Sequence, residues 1–147
     1  MSKEKIPYQY DFNYKIIAIS THLKDYRVSF FINECLGITL EKTEDLKVDY
    51  KSKNVIQSFE MQHFNQEEIE TEFFLIHNKS SGVFFLPSLK KFDYLLLIKT
   101  ENQINNQDKI IESLNENQHF QIVYKVAELS SRENNIIEKN ILYQELE

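Results

Sequence analysis

Four short segments between residues 58 and 98 restrict this chain to folds built around a β-sheet. The segment Ser58–His63 alternates apolar and polar residues, and Tyr94–Ile98 is continuously apolar. Two further runs, Phe73–Ile76 and Val83–Leu86, are apolar throughout and too short for core helices. Alternation is typical of a half-buried strand, and short apolar runs are typical of strands covered on both faces. The middle of the chain is therefore predicted to be a sheet, which Leu46–Tyr50, another alternating segment, extends.

Two turns between these segments predict how the strands pair. Residues 58–64 can fold back on 71–77 around residues 67–68, and residues 78–82 can form the next turn. The predicted partners are Phe59 with Ile76, Met61 with Phe74, Ile76 with Phe84 and Phe74 with Leu86. One apolar face then runs across three strands, and a slip by one residue would destroy it. The pattern predicts a β-meander.

Residues 14–36 allow two interpretations. A single long amphipathic helix would place its apolar residues on one side. Alternatively, Tyr14–Ile19 forms a strand and a helix over Leu23–Leu36 follows, capped by Ser20 or Thr21. In both interpretations the helix ends at Gly37. The β-branched Ile residues favour the strand followed by the helix.

The second half predicts a strand–helix–strand unit. Tyr94–Ile98 is expected to be a central strand, and a helix over Asp108–Leu114 follows Asn105-Asn106 as its N-cap. Alternating residues from Phe120 to Val126 then form the last strong strand. Ser130 or Ser131 could cap a short helix, and Ile141–Tyr143 could be an edge strand. We expect one α+β domain over residues 1–147, with a mostly antiparallel sheet of about five to seven strands and two main helices on one face.

Composition narrows the class of protein. The chain has 147 residues and a net charge of −6, which disfavours binding to the phosphate backbone of nucleic acids. Its two glycines are too few for a Gly-rich phosphate-binding loop. Cys35 is the single cysteine, so no internal disulfide can form. No apolar run is long enough to cross a bilayer. We expect a cytoplasmic protein that binds neither membranes nor nucleic acids.

The densest polar cluster is Thr21–Arg27. On a helix His22 and Asp25 would be neighbours, and a His–carboxylate pair is the minimum for a general base. The same spacing occurs on any charged helix surface, and Arg27 could instead bind a carboxylate or fold over an aromatic ring. None of the four histidines has a zinc-site spacing, so neither a metal nor a cofactor is predicted.

Two segments carry a family resemblance. Leu86-Pro87-Ser88-Leu89-Lys90-Lys91-Phe92-Asp93-Tyr94 resembles the signature of the bacterial IPExxxVDY family, found in Bacteroidetes-type bacteria, and Thr21–Arg27 is similar to that family's N-terminal pattern. Ser88 stands where the signature has Glu. We interpret the signature as a turn fixed by Pro87, with Ser88 or Asp93 bonding nearby backbone amides. The resemblance implies an uncharacterised family and assigns no reaction.

Two functions follow as expectations. The preferred one is a non-catalytic interaction or regulatory module, acting through a protein partner or a homodimer formed at an exposed strand edge. The alternative is a small-ligand-binding protein or an enzyme. Its site would combine side chains from both segments, namely His22, Asp25, Tyr26 and Arg27 with Asp93 and Tyr94. The alternative requires these two segments to line one cleft.

Overall fold

A computed structural model describes residues 13–50, 54–100 and 107–142 of the chain. The helices are α1 (Asp25–Leu36), α2 (Gln107–Asn115) and α3 (Ser131–Ile137), the last continued by a π-helical turn at Glu138–Leu142. The strands are β1 (Asn13–Thr21), β2 (Glu41–Lys42), β3 (Leu46–Tyr50), β4 (Val55–Phe59), β5 (Met61–Gln66), β6 (Thr71–His77), β7 (Lys79–Ser80), β8 (Val83–Phe84), β9 (Tyr94–Thr100) and β10 (Phe120–Lys125). Within these ranges, none of the helices combines the length and the apolar character that crossing a bilayer requires.

Six strands form the main sheet, in the order β10-β1-β9-β6-β5-β2, and every neighbouring pair is antiparallel. Strands β9 and β10 both run antiparallel to β1, so they are parallel to each other. Helix α2 connects them, which confirms the predicted strand–helix–strand unit, with β1 inserted between its strands. The predicted central position of Tyr94–Ile98 is also confirmed, because β9 lies inside the sheet with all seven residues buried.

The sheet is covered on both faces, as its apolar strands require. Successive residues of a strand point to opposite faces, so Ile17 packs with α1 and α2 while Ile16 packs on the other side. The first face contains Ile19, Leu75, Leu96, Val28, Ile32 and Leu114. On the second face the β3–β4 hairpin and α3 cover the sheet through Leu46, Phe59 and Ile137. The α+β prediction, with two main helices on one face, is confirmed.

The first segment is a strand followed by a helix, as favoured. Its helix begins at Asp25, and the N-cap is Lys24, so neither Ser20 nor Thr21 caps it. Thr21 instead accepts a hydrogen bond from the Leu23 amide through its hydroxyl oxygen. Gly37 ends the helix with φ = 67°, a left-handed conformation that glycine adopts without a Cβ clash.

The predicted strand pairing is wrong in two respects. In the β5–β6 pair Met61 faces Ile76 and His63 faces Phe74, a shift of two residues from the prediction. Such a shift keeps the same residues on the same face, so the apolar pattern cannot detect it. The second error concerns residues 83–86, because β6 pairs with β9 instead, and β8 forms a short hairpin with β7. The pairing of β6 with β9 joins seven residues of each strand and buries β9, so it is more stable than the shorter pairing of β6 with residues 83–86 would be.

The C-terminal part is helical. Ser130 caps α3 by accepting a hydrogen bond from the Glu133 amide, as one of the two predicted caps. The predicted edge strand is wrong where the structure describes it, since Ile141 and Leu142 lie in the π-helical turn and pack into the core. Tyr143 and the predicted N-cap Asn105-Asn106 lie outside the described residues.

The strand β10 forms one edge of the sheet. A register shift opposite Ser20 and Thr21 interrupts its pairing with β1, so Phe120 and Val123 pack towards α1 and α2. The same shift directs Ile122 and Tyr124 to the other face, where they are 49% and 46% exposed. The sequence pattern predicted the strand, and the bulge explains why Phe120 is buried while Ile122 and Tyr124 of the same alternating set are exposed.

Candidate functional site

Asn78 organises the segment that carries the family resemblance. It directly follows β6 and is fully buried. Its side-chain amide donates hydrogen bonds to the carbonyl oxygens of Leu89 at 3.0 Å and Phe92 at 3.2 Å. Its side-chain oxygen accepts one from the Leu86 amide at 2.9 Å. One side chain therefore satisfies three backbone groups of residues 86–92, and this fixes the position of Asp93, the residue before β9.

Pro87 and Ser88 form the turn that the sequence predicted. Pro87 is the first residue of a 3-10 turn, Pro87–Leu89. The carboxylate of Glu133, on α3, accepts hydrogen bonds from the Ser88 amide at 3.0 Å and from the Ser88 hydroxyl at 2.6 Å. The expectation that Ser88 would bond a nearby amide is wrong, because its partner lies 45 residues away. Ser88 therefore anchors the turn to α3.

Substituting Ser88 with Glu, the residue of the family signature, is expected to destabilise this protein. The new carboxylate would lie against Glu133, which is only 6% exposed. We expect the free energy of unfolding to fall by about 3 kcal/mol, against about 1 kcal/mol for Ser88→Ala, because the second carboxylate repels a buried charge. Urea denaturation of both variants checks this. Equal stability of Ser88→Glu and the wild type would show that Glu133 does not hold this turn.

The two segments that carry the resemblance meet in space. The carboxylate of Asp93 accepts a hydrogen bond from the Thr21 amide at 2.9 Å. The hydroxyl of Tyr94 donates one to Oδ1 of Asp25 at 2.8 Å. Asp93 therefore clamps the end of β1, while Tyr94 orients the first carboxylate of α1. The geometric condition for the ligand-binding hypothesis is met.

These residues line an open cleft of about 530 Å³, here called the signature cleft. Its walls include Lys24, Asp25, His77, Asp93 and Tyr94. The pKa of the Tyr94 phenol lies far above its ordinary value, first because the ring is buried, and then because Asp25 accepts its hydrogen bond and is negatively charged. The phenol therefore stays protonated and acts as a donor to Asp25 at neutral pH.

His77 completes the cleft. Its ring stacks on Tyr94, with centroids 4.7 Å apart and planes at 16°. Its Nδ1 lies 3.9 Å from Oδ1 of Asp25 and 4.0 Å from Oε1 of Glu60. Neither His77 nor Glu60 was predicted from the sequence, because the predicted strand register is displaced by two residues. In the observed register the His77 amide donates to the Glu60 carbonyl at 2.9 Å, so the correct pairing would have placed the two residues together.

The other predicted site residues have different positions. His22 and Tyr26 line the signature cleft, and Tyr26 is largely exposed at its rim. His22 precedes α1, so the predicted helical spacing between His22 and Asp25 is wrong. Arg27 lies over the ring of Phe31, with its guanidinium carbon 5.7 Å from the ring centroid. This is one of the alternatives that the sequence left open.

A second His–carboxylate pair lies on the neighbouring part of the sheet. The imidazole Nε2 of His63 and Oε1 of Glu72 are 2.7 Å apart. The hydrogen bond with His63 is the main cause that lowers the pKa of Glu72, against the effect of burial, and the ammonium of Lys99, 3.7 Å away, adds to it. The hydrogen bond between His63 and Glu72 therefore links β5 to β6 next to the ammonium group of Lys99.

The lowered pKa of Glu72 predicts how acid affects stability. A carboxyl group whose pKa is lowered by folding stabilises the folded state above its unfolded pKa, about 4.3, and loses that contribution as the pH falls through the folded value. Glu72→Gln is therefore expected to lose less unfolding free energy than the wild type between about pH 5 and 3. Urea denaturation at several pH values measures this, with the exposed Glu67→Gln as control. Parallel pH profiles of Glu72→Gln and the wild type would contradict it.

A larger and more apolar groove, of about 730 Å³, lies on the opposite face. Its lining includes Tyr50, Val55, Val83, Leu129 and Ile136. In the part of the chain that the structure describes, Asp25, Glu60 and His77 form a group of three His, Cys, Asp or Glu side chains with converging ligand atoms, and no such group includes a residue of this groove. The signature cleft is therefore the candidate site for chemistry.

Comparisons with known proteins add no assignment. Neither a search of protein-family models nor a search of curated proteins gives a match to this sequence. The interpretation of the cleft therefore rests on the geometry of its own residues.

Proposed function

We propose that this chain binds a small cationic ligand in the signature cleft. The observation that carries the proposal is the convergence of Asp25, His77 and Tyr94 from three separate segments at one opening. Glu60 adds a second carboxylate within 4.0 Å of the imidazole. Two carboxylates beside a ring nitrogen favour a positively charged group or a hydrogen-bond donor.

The scaffold behind the cleft supports the proposal. Asn78 uses its buried amide to fix residues 86–92, and the next residue, Asp93, bonds the end of β1. A buried polar network of this kind costs stability unless it is fully satisfied, so its use here is consistent with positioning Tyr94 against Asp25. We also infer that the resemblance to the IPExxxVDY family reflects membership, because its two matching segments form the two sides of this cleft.

Chemical-shift mapping tests the proposal. A ¹⁵N-labelled sample in buffer with EDTA would be titrated with small amines and guanidines such as putrescine, agmatine and arginine. We expect the amide signals of Asp25, His77 and Tyr94 to shift, and signals of the apolar groove to stay in place. In Asp25→Asn the shifts should be largely lost. If every compound leaves these three amides unchanged, or if Asp25→Asn responds like the wild type, the proposal is wrong.

A second candidate function is homodimerisation through β10. In the described part of the chain this strand has a partner on one side only, and it exposes Ile122 and Tyr124. An unprotected apolar edge can pair with a second copy. Light scattering at increasing protein concentration tests this. We expect a dimer that Ile122→Lys converts to a monomer, and a monomeric wild type at all concentrations would exclude it. We place either activity in the cytoplasm, consistent with the single free thiol of Cys35.

A further inference from the structure

We propose that Asp25, Glu60 and His77 together bind one divalent transition-metal ion, so that the cation of the signature cleft is a metal. This inference rests on the proposed function and makes it specific. The three groups each offer one ligand atom, and these atoms all lie within 4.8 Å of one another.

The distances suit a metal centre that closes on its ion. With metal–ligand bonds of about 2.0 to 2.2 Å, tetrahedral ligand atoms lie about 3.4 Å apart. The imidazole Nδ1 of His77 is 3.9 Å from the Asp25 carboxylate and 4.0 Å from that of Glu60. To reach that spacing, the imidazole and each carboxylate would have to approach by about 0.5 Å, and the two carboxylates would have to approach each other by up to about 1.4 Å, which side-chain rotations can supply. Glu60 can move most easily of the three ligands, because half of its side chain is exposed to solvent.

The other two ligands are already oriented. The Tyr94 hydroxyl donates to the Asp25 carboxylate, and the Tyr94 ring stacks on the imidazole of His77. In metal sites such outer contacts fix the direction of the ligand atoms and strengthen binding. Three protein ligands at an open cleft would leave a coordination position for water or substrate, as catalytic metal sites do.

The ligand set indicates which ions would bind. One imidazole nitrogen and two carboxylates suit Zn²⁺, Co²⁺, Mn²⁺ or Fe²⁺, whereas Ca²⁺ and Mg²⁺ prefer oxygen ligands alone. No spacing in the sequence indicated this site, since its ligands come from the start of α1, the break between β4 and β5, and the end of β6. The absence of a metal motif therefore does not argue against it.

The chain supplies a matched control in His63 and Glu72. These side chains also pair an imidazole with a carboxylate, at 2.7 Å. Their third neighbour is the ammonium of Lys99, 3.7 Å from Glu72, which would repel a metal ion. Metal binding is therefore expected at His77 and not at His63.

The test uses the full chain without an affinity tag, freed of metal with EDTA and then dialysed. Calorimetric titration with Zn²⁺ is expected to give one ion per chain. His77→Gln, Asp25→Asn and Glu60→Gln should each weaken binding at least tenfold, because each removes one ligand. His63→Gln and Cys35→Ser should bind Zn²⁺ like the wild type. Co²⁺ should give visible absorption bands that disappear in His77→Gln.

Three outcomes overturn the inference. They are no Zn²⁺ binding by the wild type, binding that survives in His77→Gln, and binding that is lost in His63→Gln or Cys35→Ser. The proposed function is tested separately, in EDTA. If amines shift the cleft amides there while Zn²⁺ fails to bind, only the metal assignment is wrong. If neither amines nor Zn²⁺ bind, both proposals fail.

Discussion

Replacing Asn78 with Leu is expected to lower the free energy of unfolding by about 4 kcal/mol, because three buried backbone groups lose their partners at about 1 to 3 kcal/mol each. Leu has the same branched shape as Asn but a larger volume, so the loss reflects the missing hydrogen bonds and some overpacking, and no cavity forms. Few single substitutions outside the apolar core of this chain should cost as much.

Urea denaturation with linear extrapolation measures this effect. The control is Asn65→Leu, an exposed position on β5, where we expect a change within about 0.5 kcal/mol. A loss below about 1 kcal/mol for Asn78→Leu would show that residues 86–92 are held by other contacts. Because Asn78 follows His77 directly, the amide signals of the signature cleft should also broaden or shift in this variant.

Asp25→Lys is expected to weaken cation binding in the signature cleft by at least about a hundredfold. The substitution replaces an attractive charge by a repulsive one, and at 4 Å each charge contributes about 4 kcal/mol at an intermediate effective dielectric constant. Agmatine in EDTA buffer and Zn²⁺ in metal-free buffer should both be affected, since both proposals place the cation against this carboxylate.

Asp108→Lys is the matched control for this substitution. Asp108 also lies in the first turn of a helix, α2, but its side chain is 83% exposed and pairs with Lys125. Both variants change the net charge from −6 to −4, since each replaces −1 by +1. Calorimetry on the two proteins should therefore show loss of binding only for Asp25→Lys. Equal losses would mean that the overall field of the protein, and not the cleft, attracts the cation.

Elements with a strong local pattern could be predicted from the sequence. The β-branched residues of β1, the left-handed Gly37 and the apolar spacing of α2 all identify their elements without tertiary contacts. The pairing of strands could not be fixed in the same way. A shift of two residues between β5 and β6 preserves every apolar face, and the preference of β6 for β9 depends on a strand that comes later in the chain.

The candidate site was predictable in part for the same reasons. Asp25, Asp93 and Tyr94 lie at one cleft, which is the condition that the ligand-binding alternative set for the two segments. His77 and Glu60 were missed, because the displaced register placed them two residues apart along the ladder. The role of Ser88 depends on Glu133, whose distance in sequence leaves no local signal.

If Asp25, His77 and Tyr94 form one cation-binding cleft, the NMR signals of the imidazole rings report cation binding there most directly. The chain has four histidines, and the two that lie away from the cleft, His63 and His119, serve as internal references in a single spectrum. On titration with agmatine in EDTA, and separately with Zn²⁺ in metal-free buffer, we predict large shifts of the His77 ring nitrogens. His22, at the edge of the cleft, should respond weakly, and His63 and His119 should not respond. Unchanged His77 signals in both titrations, or a dominant response at His63, would contradict the account.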